Sequence, residues 1–145
     1  MKNTVRKKLE IINNDANQYG ETIFKNADKE DVLYFEKWWS TEMKNIGQPK
    51  EYLDLIKEIN NFDYDGLSFY SIDKKNDNNF YKNNEIYWEN EYLREYIFLG
   101  EDSISWYCQS LVENHFLILD KPSGSIIEEF ETLSEMIIKA LESIL

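Results

Sequence analysis

The chain has 145 residues, enough for one domain with a core of its own, and its 15% aromatic content excludes the sparse composition of disordered chains. A single cysteine, Cys108, excludes an internal disulfide and any multi-cysteine metal centre. The formal net charge is −12, which repels phosphate backbones and argues against direct nucleic-acid binding.

The first apolar stripe is Val5, Leu9 and Ile12, which predicts a helix over about Asn3–Ile12. Residues 13–26 are polar and contain Gly20, and read as a loop with a short extended piece at Thr22-Ile23-Phe24. Asp28 is a suitable N-cap for a second helix. Val32, Phe35, Trp39 and Met43 line one face of it, with Leu33, Tyr34 and Trp38 broadening the face. Neighbours on a helix point about 100° apart, so Trp38 falls on the shoulder of the buried stripe. Shoulder packing is the plainer reading of Trp38, and a partner contact the sharper one.

Pro49 suits the first position of a third helix, with Tyr52, Leu53, Ile56 and Ile59 on its apolar stripe and Asn60-Asn61 ending it. Asp65-Gly66 is a turn signal before a strand, Leu67–Ile72. The Asn- and Lys-rich run from Asp73 to Asn84 reads as an exposed loop, followed by a short helix over about Asn84–Leu93. Tyr96–Leu99 reads as a buried strand, and the alternation of Ile104, Trp106 and Cys108 with polar neighbours as a half-buried one. His115–Leu119 and Ser125–Phe130 follow as strands around the turn residues Asp120–Gly124. Thr132-Leu133-Ser134-Glu135 is a capping box, and the stripe Leu133, Met136, Ile137, Ala140, Leu141, Ile144 predicts a closing helix. The expected class is therefore α+β: one domain over 1–145, with residues 1–27 a more variable helix and loop. A central, mostly antiparallel meander of about four to six strands is flanked by N-terminal helices and a C-terminal helix.

Catalytic signals are weak. There is no G-x-S-x-G, phosphate-binding loop or G-x-G-x-x-G. Cys108 shares its strand face with Ile104 and Trp106 and is expected in the core, away from any dyad with the only histidine, His115. Asn61–Gly66 begins like a calcium loop, but the twelfth position, which needs a bidentate Glu, is Ile72. We expect no enzyme, no cofactor and no metal.

The charge is uneven. Residues 1–82 hold 13 basic and 15 acidic side chains, whereas residues 83–145 hold 3 and 13, a net of −10. Such a surface attracts basic partners and speeds their encounter. Trp38 and the acidic pairs Glu101-Asp102 and Glu128-Glu129 are the candidate partner-binding residues. The opening residues lack the apolar stretch of a signal peptide and no run is long enough to span a membrane, so a soluble, cytoplasmic protein is expected.

Several local strings, in order, resemble the SUKH superfamily over roughly residues 46–145. They are Gln48-Pro49-Lys50-Glu51-Tyr52 to Asn60-Asn61, Gly66-Leu67-Ser68-Phe69-Tyr70, Tyr96-Ile97-Phe98-Leu99-Gly100, and Leu119-Asp120, Gly124 and Phe130 before the final helix. Tyr87-Trp88-Glu89-Asn90-Glu91 looks most like the YrhA-like branch of small bacterial members. At Gln48 and Asn61 this chain departs from the family's Leu and Gly. The resemblance implies an α+β fold without catalysis, and a role as an immunity protein that binds a toxin effector. The other role it implies is a regulatory scaffold for cell-wall or glucan synthesis.

Overall fold

The computed structural model describes residues 1–145. Three helices come first: α1 (Asn3–Asn17), α2 (Lys29–Glu42) and α3 (Lys50–Ile59). A short hairpin, β1 (Asp63–Tyr64) and β2 (Leu67–Phe69), precedes α4 (Phe80–Tyr87) and a 3-10 turn at Glu91–Glu95. Then come β3 (Tyr96–Glu101), β4 (Ser105–Ser110), β5 (Phe116–Asp120), β6 (Ile126–Phe130) and the closing helix α5 (Leu133–Glu142). The six strands form one antiparallel sheet in the order β1-β2-β3-β4-β5-β6, the meander that the sequence predicts.

Each face of the sheet is covered by a different part of the chain. The register puts Tyr107, Ile118 and Glu128 on one face, where α5 packs against β5 and β6 and Lys139 approaches Glu128. Helices α1 and α3 pack on α5 in turn. The register puts Phe98, Trp106, Cys108 and Leu117 on the other face. There the Tyr87 ring at the end of α4 lies 4.6 Å from Phe98 and 5.1 Å from Trp106. A single core of 34 buried residues results, with Phe35, Trp39, Tyr52 and Phe80 as an aromatic cluster between α2, α3 and α4. Burial of this order is the main driving force for the fold.

Two junctions set the geometry around the sheet's end. Asp65 and Gly66 both have positive φ, 50° and 84°, the conformation of a two-residue hairpin turn. At Gly100 the chain bulges between Phe98 and Gly100, and β2 crosses so closely that an added Cβ would lie 2.4 Å from the Ser68 carbonyl oxygen. Only glycine fits there.

Several expectations need correction. Helix α1 continues through Asn13–Asn17, because Ala16 extends the buried stripe of Val5, Leu9 and Ile12 by one more turn. Leu33 is exposed, so the buried face of α2 is narrower than the sequence suggests, with Phe35 and Trp39 at its centre. Pro49 stands just before α3 as its cap rather than at its first position. The strand after Gly66 stops at Phe69, where Ser71 turns to bridge Asn79. Helix α4 starts four residues earlier than expected, because the Asn79 side chain accepts from Lys82 N at 2.8 Å and caps it. Ile104 is exposed in the β3–β4 turn, and β4 is a central strand with both faces covered rather than half-buried. The Thr132 hydroxyl accepts from Glu135 N at 3.2 Å, so half of the capping box forms.

Candidate partner-binding surface

The two acidic pairs occupy different settings. Glu101 ends β3, paired with Ser68 on one side and Trp106 on the other. Its Oε2 accepts from the Tyr70 hydroxyl at 2.6 Å and the Tyr87 hydroxyl at 2.8 Å. Lys121, from the β5–β6 turn, lies 3.4 Å from Oε1. Burial, then Tyr87 and the Glu101 charge, push the Tyr70 phenol far above its ordinary range, so it stays a donor. Asp102 accepts from Ile104 N, Ser105 N and the Tyr107 hydroxyl at 2.9, 2.8 and 2.7 Å. Both carboxylates are thus spent on holding the sheet's end together, and reversing their charge would strike the fold before any partner.

Glu128 and Glu129 lie on β6, and as strand neighbours they point to opposite faces. Glu128 faces α5, 4.0 Å from Lys139 Nζ. Glu129 is exposed on the other face, beside a cavity of about 210 Å³ that Glu95, Glu113, His115 and Tyr96 also line. Glu95 and Glu113 come to this cluster from the 3-10 turn and the β4–β5 turn, distant in sequence from Glu129, so sequence spacing does not group them with it. Trp38 joins none of these groups: its ring stacks 6.4 Å from Trp88 at a 13° angle and packs edge-on to Phe80 and Tyr81. It is half-buried, on the shoulder of α2.

Of the 13 acidic side chains in residues 83–145, nine are exposed, including Glu85, Glu89, Glu91 and Glu95 between β2 and β3, Glu129 on β6, and Glu131 and Glu135 after it. The negative excess therefore reaches solvent over much of this half of the molecule. Cys108 is fully buried, and burial pushes its thiol well above the ordinary range, so it offers no thiolate. His115 Nδ1 lies 3.2 Å from Glu113 at the start of β5.

No protein-family model matches the chain, and no curated protein matches it. The chain is similar in fold to the crystal structure of a protein from Pseudomonas syringae pv. tomato, with a TM-score of 0.60 and 17% identity over 88% of this chain and 91% of that one. At that identity the shared property is the α+β fold. No helix is long and apolar enough to cross a membrane.

Proposed function

We propose that this chain is a non-catalytic binding protein of the SUKH type, acting in the cytoplasm as an immunity protein that captures a basic toxin effector in a stoichiometric complex. The observation that carries this reading is the net of −10 over residues 83–145, most of it solvent-exposed. A field of that sign steers basic surfaces into contact and rejects polyanions. The α+β fold that the resemblance implies is the fold observed, which supports the reading further. Capture of a basic protein needs no pocket and no titrating nucleophile, in keeping with a neutral Cys108 and with Glu101 and Asp102 held in internal hydrogen bonds.

The test is capture from the native host, identification by mass spectrometry, and binding kinetics with the purified partner. A basic effector that binds one to one, with association slowing as salt rises, is the expected result. An acidic or neutral partner, or an on-rate indifferent to salt, overturns the reading.

A further inference from the structure

The sheet is asymmetric at its two edges. On one side it ends in β1, only two residues long. On the other it ends in β6, five residues long and paired only with β5. Along β6, Ile126 and Ile127 are 51% and 55% exposed, and Glu129 is exposed as well.

The backbone of Glu129 is free. Ser110 N donates to His115 O, so the His115 main chain points toward β4. Alternation then turns Phe116 and Ile118 toward β6, where they face Phe130 and Glu128. Glu129 lies between those two, and its N–H and C=O point outward, away from the sheet.

We infer that the β6 edge is a docking site for an extended, basic segment of a protein partner, which adds to the sheet as a further antiparallel or parallel strand. This rests on the acidic-capture reading above and names the contact through which capture occurs. Strand addition draws affinity from main-chain hydrogen bonds and specificity from alternate side chains.

Charge selects the occupant. Glu129 projects on one face beside the cavity it shares with Glu95 and Glu113, into which a lysine or arginine of the docked strand would reach. Glu128 projects on the other face, with Lys139 at 4.0 Å as its single near cation, and Glu131 follows. A second copy of this chain is the wrong partner. Pairing β6 with itself about its middle sets Glu128 against Glu128, and like charges directly opposite destabilise a strand pair. A basic strand meets attraction where a copy meets repulsion, and Ile126 and Ile127 supply apolar contact.

The experiment uses two capped synthetic peptides of equal positive charge against the full chain. One alternates lysine with valine. The other replaces the valines with proline and forms no ladder. Binding is read by amide chemical shifts and by hydrogen exchange at Glu129. The alternating peptide should bind saturably, shift the amides of Ile127, Glu129 and Glu131, and protect the Glu129 N–H. Glu129→Pro removes the outward N–H, which an edge strand tolerates losing, together with the carboxylate, and should weaken binding by about tenfold or more, whereas Glu129→Gln removes the charge alone. Glu129→Gln should weaken it less than that, and Glu85→Gln with Glu89→Gln, on and just beyond α4, least. Equal binding of the proline peptide overturns the proposal, as does wild-type affinity in folded Glu129→Pro, or a dimer of the chain with β6 buried. If Glu129→Pro fails to fold, unchanged exchange at Glu129 in the wild type on adding peptide overturns it by itself. A native basic partner whose binding depends on salt but ignores Glu129→Pro defeats the edge and spares the capture reading. Peptide docking without any basic native partner defeats capture and spares the edge.

Discussion

The side-chain amide of Asn84 pairs with both main-chain groups of Phe98: Nδ2 donates to Phe98 O at 3.0 Å and Phe98 N donates to Oδ1 at 2.7 Å. Strand β2 is too short to reach this part of β3, so one fully buried asparagine from α4 supplies the missing ladder contact. Trp88 extends the arrangement, its Nε1 donating to Tyr96 O at 2.8 Å. Asn84→Leu would leave two buried main-chain groups unpaired, and should cost about 2–5 kcal/mol. Urea melts measure it, and a loss below about 0.5 kcal/mol, the range of ordinary surface changes, would show that water or a shifted strand replaces the amide.

Glycine at position 100 is a second such point. An added Cβ would meet the Ser68 carbonyl oxygen and the packed Phe69 ring, and the main chain of β2 cannot move cheaply aside. Gly100→Ala should cost about 2–4 kcal/mol and disturb the β2–β3 pairing first. Amide exchange at Ser68 and Phe69 should rise more than exchange in β5.

On the closing helix, Leu141 is fully buried and Glu142 exposed. Leu141→Ala should cost about 2–5 kcal/mol, and Glu142→Ala at most about 0.5 kcal/mol. Equal losses in chemical melts would reverse the assigned faces.

The two acidic pairs should separate in one experiment. Glu101→Gln weakens two tyrosine hydrogen bonds and the Lys121 pair, and should lower stability by about 1–3 kcal/mol. Glu129→Lys, on an exposed strand position, should change stability by at most about 0.5 kcal/mol while slowing association with a basic partner. Stopped-flow binding together with thermal melts on both variants decides this.

Alkaline pH should destabilise the protein. Burial raises the Cys108 thiol and the phenols of Tyr52, Tyr70, Tyr81 and Tyr107 above their ordinary values. Unfolded, the thiol loses its proton near about 8.5 and the phenols near about 10, while the folded forms keep theirs. The folded state then binds more protons, so stability is fully present below those values and falls as pH rises through them. The slope is about 1.4 kcal/mol per pH unit for each group that has titrated in the unfolded chain. Urea melts from neutral to alkaline pH should show a shallow loss that steepens once the phenols titrate. Cys108→Ala should remove the shallow part. In the wild type, a thiol reagent should label Cys108 only on unfolding.

Much of this architecture is legible in the sequence, and the reasons it is or is not are local. The meander follows from short turn segments, such as Asp120–Gly124, that leave no room for crossovers. The closing helix follows from a stripe of six apolar residues behind Thr132. The start of helix α4 is not legible, because its cap, Asn79, is one of several asparagines in a polar run, and its role depends on a geometry that composition does not record. The acidic half was legible as a sum of charges. Its division into fixed and free carboxylates was not, because Tyr70, Tyr87 and Lys121 come to Glu101 from distant elements.

The packing of α1 on α5 has a consequence for synthesis. Helix α1 leaves the ribosome well before α5 and must wait for it before its apolar stripe is fully covered. At about 5–20 residues per second the interval is on the order of ten seconds. During it Val5, Leu9 and Ile12 are open to solvent or to a chaperone. From β3 to β6 the sheet has no such delay, since each strand finds its neighbour as soon as the next turn emerges, and the nascent chain builds these four strands before it can close the helical layer over them.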